Sequence, residues 1–478
     1  MPLEATPTRR HAVVIGGGIA GLLAARVLAD RFGQVTLVER DPTTSATPRR
    51  GAPQGAHVHA LLKAGELVLE RLFPGLIGEL EARGSTRVRF ARDIHWFHHN
   101  TWASEGPADL TIQTQTRPLL EDAIRVRLAR EGGVKLLAAA VRGLAFDAAR
   151  SRVVGVEVLA DPRHTEVLAA DVVVDASGRG SRLPEWLAAA GYERPGEEGV
   201  QMDLCYASRL YRTPVRGAPD WKALLVSPSA PHQTRGGTIT PVEGNRWLVT
   251  LFGYLGDQPP IDPVGFMDFA RSLPVPDLAE ALEAAEPVSE INRYRFTNSR
   301  WRHYERLRRL PAGLASLGDA VCSFDPVFAQ GMTVAALAAD TLAHTIGADP
   351  TLAHPQRYFR ALARQLMLPW LLAASEDLRY PQAAGRRPFW LPWVQGYTNR
   401  LFAVTGFDAE AYRLFLGAMH MLAGPQVMLH PRLVFRVMQH ALYGGRKGDS
   451  VRQARDQLST QALQANAATP LTQASRLS

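Results

Sequence analysis

The stretch His11-Ala12-Val13-Val14-Ile15-Gly16-Gly17-Gly18-Ile19-Ala20-Gly21 decides the fold. Its first five residues form a short apolar run, the pattern of a strand buried on both faces in a parallel sheet. Three glycines follow, then an apolar helix pattern from Ile19 to Ala29, then a second strand from Gln34 to Glu39. The whole is a βαβ unit of about 30 residues. Gly16, Gly18 and Gly21 make a Gly-x-Gly-x-x-Gly. Gly16 permits the tight turn, Gly18 lets a pyrophosphate approach the backbone, and Gly21 allows close helix–strand packing. Ile19 and Ala20 open the helix, whose first N–H groups and positive dipole end suit phosphate. Glu39 stands where a carboxylate binds the ribose hydroxyls of an adenine dinucleotide, with Arg40 beside it. The fingerprint alone does not separate NAD from FAD.

The 478 residues and 46% apolar share describe a globular chain, long enough for two or three domains, and exclude a mainly disordered one. Lysine and arginine number 54 and aspartate and glutamate 46, so the net charge is +8. That charge is dispersed arginine with no block of five like charges, which does not point to nucleic acid. Cys205 and Cys322 are the two cysteines. They make neither a disulfide framework nor a four-thiolate metal site, and a cytoplasmic, reducing setting is the expectation. No apolar run reaches the roughly 20 residues that span a bilayer. Arg9-Arg10 ahead of an apolar run imitates a signal peptide, but the glycines break that run.

Further along, Thr43 to Gly55 reads as a loop, His57 to Leu72 as a helix, and Pro118 to Ala129 as another helix. Strand-like runs recur at Lys135 to Ala139, Arg152 to Leu159 and Asp171 to Asp175. From about 198 to 310 aromatic and β-branched runs alternate with turn residues, and Gly244-Asn245 suits a hairpin. This predicts an antiparallel sheet with a helix near Pro263 to Leu273. A strand at Gly313 to Leu317 returns to the first sheet, and from about Val334 the pattern is helical. The expected architecture is α/β: a Rossmann-type domain in two parts, 10–197 and 311–345, an inserted β-sheet substrate domain at 198–310, and a C-terminal helical region at 346–448. The tail 449–478, without an aromatic residue and rich in Gln, Ala, Ser and Thr, is expected to be partly disordered.

Three further segments resolve the cofactor. Ala170-Asp171-Val172-Val173-Val174-Asp175-Ala176-Ser177-Gly178 has a strand-then-small-residue pattern. Leu317-Gly318-Asp319-Ala320 leads through Pro326 to Gln330-Gly331-Met332. Arg117 opens an Arg-Pro-Leu-Leu-Glu helix. In this order, together with the first glycine motif, they resemble the FAD-dependent monooxygenases of the p-hydroxybenzoate hydroxylase-like superfamily, over about residues 10 to 340. The resemblance implies FAD as cofactor. Asp319 would accept from the ribityl hydroxyls, Ala320 would supply backbone near the pyrophosphate, and Gly318, Asp175 and Arg117 would lie near the cofactor. The peptide at Val141 would lie against the adenine. Gly331 and Met332 would aim a helix N-terminus at the flavin pyrimidine edge. Where the family usually has a glycine, two positions before Gly331, this chain has Ala329.

The implied reaction is oxygen insertion, hydroxylation or alkene epoxidation, into an apolar or aromatic small molecule. It would run through a flavin C4a-hydroperoxide, with O2 as co-substrate and NADH or NADPH as reductant. No second glycine fingerprint is present. Reduction by transient NAD(P)H docking and by a separate flavin reductase both remain open. A flavin-dependent reductase of isoprenoid double bonds, similar to geranylgeranyl reductases, is the alternative activity. A non-enzymatic flavin-binding module is a third reading. The Trp-x-Trp signature of tryptophan halogenases and the nucleophile elbow of hydrolases are absent.

The run Arg49-Arg50-Gly51-Ala52-Pro53-Gln54-Gly55-Ala56-His57-Val58-His59 adds candidates. Arg49 or Arg50 suits a pyrophosphate. No catalytic residue is identified; loop and helix-start packing is the favoured reading of His57 and His59, and the other puts the loop beside the flavin ring, where either could shape the oxygen pocket. A His-x-His pair without a recognisable third ligand does not predict a metal site. Pro388-Phe389-Trp390-Leu391-Pro392-Trp393, with Tyr397, Phe402, Arg386 and Arg387, has three readings. They are packing on the sheet domain, which is favoured, a cap over a substrate cavity, and contact with a membrane surface.

Overall fold

The computed structural model describes residues 10–41, 51, 53–103, 110–161, 164–215, 217 and 219–443. Arg49, Arg50 and the tail 449–478 lie outside them. The opening βαβ unit forms as the pattern predicts: strand His11–Ile15, helix Ile19–Ala29, strand Gln34–Glu39. Val13, Val14 and Val172 to Val174 are wholly buried, as strands covered on both faces require. Five strands make a parallel sheet in the order Leu314–Ser316, Val172–Asp175, His11–Ile15, Gln34–Glu39, Val134–Ala138. The glycine turn leaves the carboxyl end of the central strand, where open parallel sheets take ligands. A three-stranded antiparallel layer, Ala140–Phe146, Val153–Asp161 and His164–Ala169, sits beside it.

The second sheet is mostly antiparallel and is built around the long strand Glu197–Arg212. Arg246–Gly253, Arg235–Val242 and Ala223–Val226 follow it on one side, and Asn292–Arg302 lies on the other. The hairpin turn carries Gly244 and Asn245 both at positive φ, the backbone this residue pair tolerates. Ile94–His98 joins this sheet in parallel with Ala223–Val226, although it comes from far upstream.

C-terminal helices cover both sheets. Gly331–Ala348 packs on Ile19–Ala29, and Pro355–Asp377 is tied to the parallel sheet by Tyr358, whose hydroxyl donates to the Ser316 carbonyl at 3.0 Å. Leu391–Thr405, Ala409–Met419 and Pro431–Tyr443 share one apolar cluster with Phe90, Ile94 and Ala223 at the edge of the second sheet. No helix among the described residues is long and apolar enough to cross a membrane.

Two expectations need correction. The helix expected from His57 begins at Lys63 and runs to Leu72. Between them the Val58 N–H donates to Thr250 Oγ1 at 3.3 Å and the Leu62 N–H to Thr333 Oγ1 at 2.9 Å, so distant threonines hold the segment out of a helix. The aromatic segment is divided rather than uniformly packed. Tyr397 and Phe402 pack in the helical cluster and Trp390 against the main core, whereas Phe389 is 83% and Trp393 71% exposed.

Candidate active site

A cavity of about 730 Å³ lies between the two sheets and runs from the glycine turn to the second sheet. Its volume is that of a small-molecule or cofactor site. At one end the wall is Gly16, Gly18, Ile19, Ala20, Glu39 and Arg40, joined by Val141 from the neighbouring layer. Gly16 has φ +100°, which glycine adopts freely. A Cβ on Gly21 would stand 1.7 Å from the Gly16 carbonyl oxygen, so glycine is what lets helix and turn touch. Gly21 therefore lies behind the wall and shapes it. The helix starts at Gly18 with no side-chain cap, which leaves its first N–H groups to a ligand. The Glu39 carboxylate is fixed by the Gly17 N–H at 2.7 Å and the Asp41 N–H at 3.0 Å.

Beyond the turn, Arg117, Asp319, Gly331 and Met332 also line the cavity. Arg117 is held by Glu121 Oε1 at 2.8 Å and donates to His59 Nε2 at 3.3 Å. His59 in turn places Nδ1 3.0 Å from the His57 carbonyl, so its proton is on Nδ1. Burial and the Arg117 charge lower its pKa to about 3. It is a neutral acceptor that orients Arg117. Burial raises the Asp319 carboxyl above the usual carboxylate range, and Arg117, Arg179 and Arg300 oppose that rise. The uncapped start of the helix Gly331–Ala348 opens on the same space, and a Cβ on Gly331 would meet nothing within 4 Å.

Not every expected residue faces the cavity. Asp175, Gly318 and Ala320 are buried behind it. Asp175 accepts from the Ser177 N–H at 3.0 Å and from the Ser177 and Ser181 hydroxyls at 2.5 Å each, which spends its carboxylate on the turn. The Ala320 carbonyl accepts from Arg302 at 2.8 Å. Gly318, at φ +65°, packs against Ala20 and sets the position of Asp319.

Sequence reasoning missed Arg179, Arg142 and Arg182. With Arg40 and Arg117 they put, among the described residues, five arginines against two carboxylates, Glu39 and Asp319, on the wall, a balance that favours an anionic ligand. Arg179 follows Gly178 directly, and that proximity was the available signal. Its guanidinium donates to the Asn298 carbonyl at 2.9 Å and Ser323 Oγ at 2.7 Å, and it lies 4.3 Å from the Phe296 ring centroid.

The far end of the cavity is an apolar chamber walled by Phe90, Ile94, Ile112, Leu225 and Phe252, with Tyr206 and His57 among them. Among the described residues no group of three or more His, Cys, Asp or Glu is arranged to hold a metal.

Ala329, on the cavity wall, has φ +56° and ψ +25°, the left-handed region that favours glycine. Relief of that strain outweighs the extra freedom glycine brings to the unfolded chain, so Ala329→Gly is expected to raise stability by up to about 1 kcal/mol. Ala329→Val, which is β-branched, should lower stability by more than that. Urea unfolding of the three proteins checks both signs.

Three comparisons bear on this arrangement. The family described as FAD dependent oxidoreductase matches residues 11–111. Protein Rv3254 of Mycobacterium tuberculosis is 34% identical over 446 residues, covering 90% of this chain and 94% of the relative. A probable 2-heptyl-3-hydroxy-4(1H)-quinolone synthase, AqdB2 of Rhodococcus erythropolis, is 27% identical over 380 residues, covering 75% of this chain and 85% of the relative. The p-nitrophenol 4-monooxygenase PnpA from Pseudomonas putida DLL-E4 shares the fold, with a TM-score of 0.61 at 17% identity, over 87% of this chain and 99% of that one.

Proposed function

The chain belongs to the same family as protein Rv3254 and is an FAD-dependent oxidoreductase of the p-hydroxybenzoate hydroxylase-like type, and from that premise we propose that it is a monooxygenase placing one oxygen atom of O2 on an apolar or aromatic metabolite. NADH or NADPH is the reductant in this reading, and hydroxylation and epoxidation are both within it. One observation carries the reading. The cleft of dinucleotide-binding type and the apolar chamber are a single cavity, so a flavin at one end reaches a substrate at the other. The probable quinolone synthase activity of AqdB2 supports a ring-sized substrate.

FAD, when bound and reduced, supplies the oxygen activation. The chain's own residues bind, orient and exclude water. In this reading Glu39 takes the adenine ribose, and the turn at Gly16 to Ala20 takes the pyrophosphate with help from Arg40. Asp319 takes the ribityl chain, and Arg117, steadied by Glu121 and His59, keeps its charge beside the cofactor. The uncapped helix start at Gly331 and Met332 favours negative charge on the reduced ring. Phe90, Ile94, Ile112 and Leu225 keep the reacting region dry, which limits loss of reducing equivalents as hydrogen peroxide.

The test uses FAD-loaded protein with NADH or NADPH and a panel of quinolones, phenols and polyenes under labelled O2. The reading requires a product that gains one labelled oxygen per reduced nicotinamide consumed. Saturation of a double bond without oxygen uptake would replace it with the reductase reading.

A further inference from the structure

His57 lines the cavity and is 4% exposed, and its buried Nε2 has no partner among the described residues. On its other side Nδ1 lies 2.7 Å from Ser208 Oγ, and Ser208 Oγ lies 2.7 Å from Thr250 Oγ1. The direction of this chain follows from where it begins. The Val58 N–H donates to Thr250 Oγ1 at 3.3 Å, so the Thr250 hydroxyl proton must find its own acceptor. Ser208 Oγ is that acceptor, and the Ser208 proton then goes to His57 Nδ1. The reverse direction sends the Ser208 proton and the Val58 N–H both to Thr250 and leaves the Thr250 proton without a recorded acceptor. In this direction His57 is the Nε2–H tautomer, and its Nε2–H is a buried donor without a partner among the described residues. Burial lowers its pKa to about 4, so near neutral pH the ring carries no charge.

Tyr206 stands beside it, with ring centroids 5.9 Å apart. Tyr206 lines the same cavity, and its buried hydroxyl also lacks a partner among the described residues. Two buried polar groups on residues that line the cavity thus have no partner among the described residues. Leaving such groups unpaired is costly, and a ligand that pairs them recovers that cost.

We propose that His57, held as its Nε2–H tautomer by Ser208 and Thr250, donates a hydrogen bond to a carbonyl- or phenolate-type oxygen of the substrate and so selects molecules that carry one, with Tyr206 as the second contact. The proposal rests on reading the apolar chamber as the substrate end of the cavity. It makes His57 a specificity residue rather than an acid or base. A site built to pair an oxygen rejects the analogue without it far more strongly than an apolar pocket rejects a changed methylene.

The probes are 1-tetralone and tetralin, which share a ring skeleton and differ by one acceptor oxygen. Their binding to the FAD-loaded protein is read from the flavin absorption spectrum. The wild type is expected to prefer the ketone by about 10-fold or more. His57→Phe should reduce that preference to within about 2-fold while tetralin affinity stays unchanged. His57→Gln carries an amide N–H near the place of Nε2 and should restore most of the preference. Ser208→Ala removes the donor to Nδ1, frees the tautomer, and should cut the preference to about a third. A wild type that does not prefer the ketone, including one that binds neither probe, overturns the proposal. So does a preference that survives in His57→Phe, or a parallel loss of both probes in that variant. If His57→Phe does not retain FAD, the Gln and Ala variants decide. A protein that prefers the ketone yet incorporates no oxygen overturns the monooxygenase reading and leaves this one standing.

Discussion

Replacing Gly21 by alanine is expected to lower FAD affinity by about 100-fold or more and to cost about 3 kcal/mol of stability. The new Cβ would lie 1.7 Å from the Gly16 carbonyl oxygen, and real carbon atoms do not approach backbone oxygen so closely. Either the helix Ile19–Ala29 retreats or the turn opens. Neither movement is free. The turn is pinned by the Gly16 N–H on the Val38 carbonyl at 2.8 Å and by the Ala176 N–H on the Ile15 carbonyl at 2.8 Å. The helix is pinned by Leu22, Leu23, Ala24 and Ala25, all at or below 1% exposure. A shift of about 1 Å moves the free N–H groups off a phosphate whose hydrogen bonds fall off steeply with geometry. Gly78→Ala is the control. It makes the same chemical change in the helix Leu76–Ala82, where an added Cβ meets nothing within 4 Å, and should be neutral or slightly stabilising. FAD retained through gel filtration and the urea midpoint of each variant give both numbers. Equal flavin content in the two variants would mean that the turn does not hold the pyrophosphate.

The parts of the fold legible in the sequence are those whose hydrogen bonds and burial are local. Strand, turn and helix from His11 to Ala29 follow from an apolar run, three glycines and a helix pattern that are contiguous in the chain. The hairpin at Gly244-Asn245 was readable because that pair tolerates positive φ. The segment His57 to Leu62 was misread for the opposite reason. Its apolar spacing suits a helix, but its N–H groups are taken by Thr250 and Thr333, about 190 and 270 positions away, which no local pattern reports. The same distance hides the donor state of His57, which depends on Ser208. The motif reading set Asp319, Arg117, Glu39 and Asp175 near the cofactor; the first three line the cavity, whereas the Asp175 carboxylate turns to Ser177 and Ser181. Ser177 and Ser181 were visible beside Asp175, but whether a carboxylate turns to its own loop or outward is a matter of rotamer, which sequence does not carry.

A histidine outside the cavity gives the second large effect. His98, 1% exposed, lies among aromatic rings, with centroids 4.4 Å from Trp96 and 5.4 Å from Phe402. Neither of its ring nitrogens has a partner among the described residues. Burial, with His99 adding to it, lowers its pKa from 6.5 to about 3. In the unfolded chain the imidazole takes up its proton as pH falls through about 6.5, whereas the folded protein resists until near 3. Between those values the unfolded state binds more protons. The stability associated with neutral His98 is therefore complete above pH 6.5 and is lost, at about 1.4 kcal/mol per pH unit, as pH falls below it. Phenylalanine binds no proton in either state. His98→Phe should therefore gain on the wild type by about 2 kcal/mol between pH 7 and pH 5, whatever its starting offset from the change in ring size. Burial raises the carboxyl pKa of Asp319, Asp325 and Asp377, and those groups titrate in the opposite sense. They are common to both proteins and cancel in the difference. Urea unfolding of each FAD-loaded protein at the two pH values measures that difference. A gap that does not change with pH would mean that the folded protein protonates His98 as readily as the unfolded chain does.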